Sequence, residues 1–172
     1  MSAGAPTPKP QTAKLRRTHA VESFDCGSEP LDIFLKRYAL ASQTSGGAQT
    51  YVAEVGDAVA GYFSLTVGQV EYADAHERLA KGLARHPVPV MILARLAVDT
   101  GWQGKGLGPA LLRDALRRTA QAAEIAGIRA LIVHAKDERA KQFYQHFNFE
   151  ESPNEPRYLF LLMKQIKRLF GD

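Results

Sequence analysis

The chain has 172 residues, of which 45% are apolar, and this suits one globular domain with one core. Its formal charge of +4 and pI near 9.3 permit a polyanionic partner without identifying one. No apolar run reaches the roughly 20 residues that span a bilayer, so no membrane segment is expected. Cys26 is the only cysteine, which excludes an intrachain disulfide and a cysteine metal cluster; the histidines show no ligand spacing, and no metal is inferred.

Residues 1–13 are rich in Pro, Ala and Thr and lack the apolar segment of a secretory signal. We therefore expect a flexible leader there, a single domain over residues 14–172 and a cytoplasmic location.

The first half of the chain predicts a strand, a helix and a hairpin. An edge strand is expected over Lys14–Val21, and Ser28 is a candidate N-cap for a helix over Pro30–Gln43. The apolar stripe of that helix has helical spacing and consists of Leu31, Phe34, Leu35 and Tyr38. Gly56-Asp57 is a good hairpin turn between strands over Tyr51–Val55 and Ala58–Val67.

The second half predicts an α+β fold around a mixed, largely antiparallel sheet flanked by helices. A basic surface segment, either a short helix or irregular structure, is expected over Val70–Pro89. A buried strand is expected over Ile92–Val98. Pro109 is expected to open a helix that Gly127 caps. The remaining predicted elements are a strand over Ala130–His134, a helix over Asp137–His146 and a strand over Tyr158–Met163.

A glycine-rich loop follows the buried strand. Glycines 104, 106 and 108 expose backbone N–H groups at the positive end of the next helix, which suits an anion. A kinase-type P-loop is excluded because Leu107 and Gly108 stand where Lys and Ser or Thr are needed. A dinucleotide fingerprint fails because Pro109 occupies its third glycine position. The remaining pattern, Q/R-x-x-G-x-G/A, resembles the pyrophosphate loop of GNAT-superfamily N-acetyltransferases, which bind acetyl-CoA.

A second segment also resembles this superfamily. Phe143–Phe149 is similar to its F-Y-x-x-F-G-F sequence, with Asn148 in place of the usual glycine; asparagine tolerates left-handed backbone. The resemblance implies that acetyl-CoA is bound by three groups of residues. These are strand residues Leu96, Ala97 and Val98; loop residues Gln103, Gly104, Lys105, Gly106, Leu107 and Gly108; and helix residues Ala140 and Tyr144.

The expected chemistry is direct attack of an amine on the acetyl carbonyl. A backbone N–H stabilises the oxyanion, and the resemblance assigns this role to Val98. The leaving thiolate needs a proton, and Tyr144 is assigned as its general acid. Arg95 stands within the strand where many GNAT enzymes have a carboxylate. An α-amine, with a pKa near 7.7–8.0, needs a base less than a lysine does, so the sequence favours an α-amine.

From Phe24 onward, the chain resembles the TacT-like, tRNA-acetylating toxins of bacterial toxin–antitoxin modules. The segments that carry the resemblance are FDCGSEPLDIFLKRYA, TYVAEVGDAVAGYFSL, LARLAVD and FYQHFNF. It implies acetylation of the α-amine of aminoacyl-tRNA, which blocks translation, together with a homodimer and a ribbon-helix-helix antitoxin.

The basic residues are compatible with tRNA, because phosphate contacts come from arginine and lysine. Arg16, Lys36, Arg37, Arg85 and Arg95 are the candidate tRNA-binding residues, within a wider set that includes Arg17, Arg78 and Lys81. Solvated surface charges are the alternative interpretation. Two other functions stay open at this point: a metabolic or protein N-acetyltransferase, and a non-catalytic acyl-CoA-binding or DNA-associated module.

Overall fold

A computed structural model describes residues 8–71, 75–82 and 86–171. Seven strands form a sheet in the order β1-β2-β3-β4-β5-β7-β6. The β4–β5 pair is parallel, whereas β1–β2, β5–β7 and β6–β7 are antiparallel, so the mixed sheet is confirmed. The strands are β1 (Gln11–Lys14), β2 (Gln49–Val55), β3 (Ala58–Val70), β4 (Val88–Val98), β5 (Ala130–His134), β6 (Glu150–Glu151) and β7 (Tyr158–Leu162).

The helices are short except for one. They are α1 (Glu29–Ile33), α2 (Ala39–Thr44), α3 (Glu77–Ala80), α4 (Leu107–Ala123), α5 (Glu138–His146) and α6 (Met163–Leu169). A π-helical turn, Phe34–Tyr38, joins α1 to α2, and a 3-10 turn covers Thr100–Trp102. Among the described residues, no helix combines the length and apolarity needed to cross a bilayer.

The chain contains two compact units. The first unit comprises the residues up to Ser64 together with Arg95–Leu112, and the second comprises Leu65–Ala94 and the residues from Arg113 onward. The core of the first unit includes Phe24, Phe34, Val52, Tyr62 and Ala97. The core of the second unit includes Leu79, Val88, Val90, Ile132 and Phe160.

The predicted first strand over Lys14–Val21 is wrong. The strand is Gln11–Lys14, so residues 11–13 of the expected leader belong to β1. The Arg16 N–H donates to Nδ1 of His19, while the His19 N–H donates to the Arg16 carbonyl. This local pair of hydrogen bonds replaces a strand ladder with a turn.

The predicted first helix is present, but its apolar stripe shifts by one residue. The N–H of Ala39 donates to the carbonyl of Phe34, five residues earlier, which is the bond of a π-helical turn. Ala39 is consequently fully buried, and Tyr38 is 58% exposed. Tyr38 was expected on the apolar stripe, and that prediction is wrong because the wide turn rotates it outward.

The later elements agree with the predictions more closely. The Gly56-Asp57 turn and the strand Ala130–His134 are confirmed. Helix α4 begins at Leu107, two residues before Pro109, and ends at Ala123, and Gly127 does not take the positive φ of a helix cap. The last strand ends at Leu162 rather than Met163, because Met163 begins a C-terminal helix that the sequence analysis did not predict.

Candidate active site

The glycine loop in the first unit has the backbone that its sequence requires. Gly104 has φ +77° and Gly106 has φ +84°, conformations that side chains with a Cβ rarely adopt. Helix α4 starts at the next residue, and the Ala110 N–H donates to the Gly106 carbonyl. The N–H groups of Leu107 and Gly108 therefore lie in the first helical turn, which has no intrahelical acceptors for them. This arrangement suits a bound anion.

Side chains around the loop fix its conformation. Asp99 accepts hydrogen bonds from the N–H groups of Gly101 at 2.8 Å and Asp25 at 3.0 Å. The Gln103 amide donates to the carbonyls of Val98 at 2.9 Å and Cys26 at 3.0 Å. The predicted ligand Gln103 thus uses its side-chain nitrogen to bond within the protein, which leaves its backbone as the donor for a coenzyme phosphate.

The end of β4 is packed closely against Gly61, a residue that the sequence analysis missed. A Cβ at Gly61 would lie 2.8 Å from Cδ1 of Leu111 and 2.9 Å from the carbonyl oxygen of Ala97. A glycine inside an apolar strand is the signal that reveals such a close backbone approach. Gly61 thereby fixes the backbone position of the candidate residues Leu96, Ala97 and Val98.

Arg95 is stacked on an aromatic ring. Its guanidinium carbon lies 3.6 Å from the centroid of Phe34, and Phe34 in turn stacks on Tyr62 at 6.3 Å. Tyr62 is fully buried and donates a hydrogen bond of 2.7 Å to the carbonyl of Leu31, and burial raises the pKa of its phenol. Stacking uses the face of the guanidinium and leaves its edge donors directed sideways. Tyr62 was another residue that the sequence analysis missed.

Tyr144 lies in the second unit, on α5, with 6% of its surface exposed. Its ring contacts Phe143 at 5.1 Å and Phe149 at 5.5 Å, both edge-to-face. Burial raises the pKa of the Tyr144 phenol, so the phenol carries its proton at neutral pH. Asn148, with φ +71°, adopts the left-handed conformation expected of it after the helix.

The start of α5 is capped by an acid. Asp137 accepts a hydrogen bond of 2.8 Å from the N–H of Ala140. The backbone N–H of Ala140 is therefore occupied, and the methyl group of Ala140 is the part that a ligand could contact. Asp99 and Asp137, the two acids nearest to the candidate coenzyme loops in sequence, both serve as caps.

The candidate tRNA-binding residues differ in their surroundings. Lys36 and Arg37 are exposed on the π-helical turn. Arg16 pairs with Glu54 at 2.9 Å, which reduces its availability to a phosphate. Arg85 lies outside the described residues. In the wider set, Arg17 and Lys81 are exposed, and Arg78 pairs with Glu150.

In the described part of the chain, no cluster of three or more His, Cys, Asp or Glu side chains has the arrangement of a metal site.

The loop, the strand end and the aromatic α5 define the class of protein. Residues 46–151 match the acetyltransferase (GNAT) domain family, and the chain belongs to this family. It is 46% identical over 152 residues to the tRNA-acetylating toxin of Mycobacterium tuberculosis, covering 88% of this chain and 91% of the relative.

Solved structures of toxins have the same fold. AtaT complexed with acetyl-methionyl-tRNAfMet superposes with a TM-score of 0.86 at 27% identity, covering 94% of this chain and 99% of AtaT. A tyrosine-to-phenylalanine mutant of AtaT, bound to the C-terminus of the antitoxin AtaR and acetyl-CoA, gives a TM-score of 0.81 at 27% identity. That match covers 94% of this chain and 98% of the mutant.

Proposed function

We propose that this protein is a toxin that transfers the acetyl group of acetyl-CoA to the α-amine of aminoacyl-tRNA and so blocks translation. The observation that carries the proposal is the 46% identity, over nearly the whole chain, to a tRNA-acetylating toxin. AtaT, with 27% identity, is bound to acetyl-methionyl-tRNAfMet in one solved structure and to acetyl-CoA in another.

The glycine loop binds the coenzyme diphosphate. Gly104 and Gly106 hold positive φ, and the first turn of α4 directs backbone N–H groups outward. Leu96, Ala97 and Val98 bind the pantetheine arm through their backbone. The β4–β5 ladder covers residues 91–93 and 131–133, whereas β4 continues to Val98, which supports backbone groups available to a ligand there.

The acyl transfer proceeds without a covalent intermediate. The nitrogen of the amine forms a bond to the acetyl carbon while the backbone N–H of Val98 stabilises the oxyanion. The carbon–sulfur bond then breaks, and the thiolate takes a proton from Tyr144. The proton that the nitrogen loses returns through solvent to the Tyr144 phenolate. The Tyr144 phenol is protonated at neutral pH, since its pKa is raised by burial from an already high ordinary value, so it has the proton that the thiolate takes.

The substrate amine is an α-amine rather than a lysine amine. Asp99 and Asp137 accept hydrogen bonds from backbone N–H groups, so neither is poised as a base. A lysine, with a pKa of about 10.4, is almost fully protonated at neutral pH, whereas an α-amine of about 7.7–8.0 is partly neutral. Because neither Asp99 nor Asp137 is poised as a base, an α-amine, which is already partly neutral, is the favoured substrate.

Lys36, Arg37 and Arg95 contact the tRNA, the first two through phosphates. All three belong to the first unit, and none of them has a carboxylate partner among the described residues. Arg95, held by Phe34 with its edge donors directed sideways, contacts the acceptor end. Arg16 contributes less because it pairs with Glu54.

The protein acts in the cytoplasm as a homodimer, and a ribbon-helix-helix antitoxin neutralises it. AtaT is bound to the C-terminus of the antitoxin AtaR in one solved structure, which supports an antitoxin as a partner. A short reading frame beside the gene that encodes a ribbon-helix-helix pattern, and that suppresses growth inhibition when co-expressed, is the expected finding. Growth inhibition that persists with the neighbouring frame expressed contradicts this assignment.

The decisive experiment is incubation of the protein with charged tRNA and labelled acetyl-CoA. We expect label on the aminoacyl group, released with the amino acid by mild alkali. Uncharged tRNA is the control and should stay unlabelled. Labelling of free amines or protein N-termini with none on charged tRNA would instead identify a metabolic or protein acetyltransferase.

A further inference from the structure

A cavity of about 610 Å³ lies on one face of the sheet in the second unit and has no role in the chemistry described so far. Its floor is apolar and includes Val90, Ile92 and Ile132. The volume lies within the range of about 300–1,000 Å³ that is typical of small-molecule sites.

Two aromatic rings form one wall. His134 ends β5 and pairs in register with Tyr158 of β7. Their ring centroids are 4.3 Å apart and their planes differ by only 12°, so the rings are stacked face to face. Both side chains are exposed and both line the cavity. One face of the His134 ring is covered by Tyr158, and its other face is turned toward β4 because β5 lies between β4 and β7.

A slot lies beside that uncovered face. The β4–β5 pairing ends at Leu93 and Val133, and Ala94 and His134, which both line the cavity, are the next residues of the two strands. Ala94 is exposed, and its methyl group is too small to fill the space beside His134. A planar ring above Ala94 would therefore stack on His134 and extend the existing pair to three rings.

The charge of the cavity limits which ligands could provide this planar ring. Among the described residues that line the cavity, Glu155 carries the single formal charge, and Ser152 and Asn154 lie near it in sequence. A carboxylate repels phosphate, which disfavours the diphosphate of a coenzyme, and attracts an ammonium group. The site thus suits a ligand that joins a flat base to a cationic amine without a phosphate between them.

We propose that this cavity binds the aminoacylated terminal adenosine of the substrate tRNA, with the adenine stacked on His134 and the α-ammonium facing Glu155. The inference rests on the proposed function. The 3′ end of a charged tRNA is single-stranded, and its last base is unpaired; unpaired bases are commonly recognised by stacking on aromatic side chains. The terminal nucleoside also carries the amino group and no 3′-phosphate.

The test compares His134→Ala with His134→Phe, using tRNA charged with a single amino acid. Loss of a stacking ring should raise KM for charged tRNA about tenfold or more, whereas phenylalanine keeps a flat ring and should stay near wild type. Kd for acetyl-CoA should not change in either variant. His86→Ala, an exposed histidine that does not line the cavity, is the matched control.

A second variant tests the slot itself. Ala94→Leu keeps an apolar residue on the strand and fills the space beside His134, so KM for charged tRNA should rise while Kd for acetyl-CoA stays the same. A hydrolysis-resistant aminoacyl-adenosine should inhibit the wild type and should inhibit His134→Ala about tenfold less well.

The outcomes separate the two proposals. If the wild type does not acetylate charged tRNA, the proposed function fails. If the wild type is active but His134→Ala and Ala94→Leu keep a normal KM, only the adenosine site is overturned. Equal defects in His134→Phe and His134→Ala overturn the stacking role, and a weakened Kd for acetyl-CoA in these variants assigns the cavity to the coenzyme.

Discussion

In the first unit the candidate site consists of backbone, held in place by glycines and by side chains that bond to it, whereas in the second unit the candidate residues are aromatic side chains. Gly104 and Gly106 give the loop its shape, and Gln103 and Asp99 fix it. In the second unit, Tyr144 contacts two phenylalanines, and His134 stacks on a tyrosine. The proposed roles divide in the same way: backbone groups of the first unit are assigned to the coenzyme, and aromatic side chains of the second unit to the leaving group and the acceptor.

The largest expected effect comes from the second unit. Tyr144→Phe removes the proposed acid and keeps the ring, so kcat should fall by about 10²–10⁴-fold. Kd for acetyl-CoA, measured by calorimetry, should stay unchanged, because the proposed contacts with the coenzyme diphosphate all come from the first unit. Tyr38→Phe, which alters an exposed tyrosine, is the control. Full activity of Tyr144→Phe would remove the acid from the mechanism.

A smaller effect, on coenzyme affinity rather than on kcat, is expected from a substitution in the glycine loop. Gly106→Ala forces a Cβ into φ +84°, a strain of about 1–2 kcal/mol, so Kd for acetyl-CoA should rise about tenfold with a modest change in kcat. Gly127→Ala is the matched control, since that glycine has no positive φ and has open space around it. Unchanged coenzyme affinity in Gly106→Ala would show that the loop backbone does not determine binding.

The third effect concerns stability. Gly61→Ala places a methyl group against the Ala97 carbonyl, a backbone atom with little room to move, and should lower the free energy of unfolding by about 1–3 kcal/mol. Denaturant unfolding measures this value. A variant as stable as Gly127→Ala would mean that β4 adjusts freely, contrary to the fixed backbone inferred for the first unit.

The smallest effect is a pH dependence in the first unit. The hydrogen bond from His19, assisted by Arg16, lowers the pKa of Glu54. A lowered folded-state pKa gives stability that is present above the unfolded-state value, about 4.3, and is lost as pH falls through the folded-state value. The Tm difference between wild type and Glu54→Gln should therefore narrow below about pH 4.3. Glu22→Gln, at an exposed position, should show no such narrowing.

The loop was predictable from sequence because its conformation depends on glycines, whose spacing is visible in the chain. The strand Ala130–His134 and the left-handed Asn148 were predictable for the same local reasons. The stacking of Arg95 on Phe34 and the His134–Tyr158 pair were not, because they join residues that are distant in sequence. The turn that replaces the predicted first strand depends on hydrogen bonds between Arg16 and His19, which no periodicity reveals.

The π-helical turn acts as a phase shift of one residue within an otherwise α-helical segment. Without the wide turn, regular α pitch over the same residues would turn the phenol ring of Tyr38 inward and move the small methyl group of Ala39 out of the core. The π-helical turn thus places the small Ala39, rather than the bulky Tyr38, beneath the helix. It leaves the Tyr38 ring on the surface beside Lys36 and Arg37, whereas a purely α-helical segment would have buried that ring.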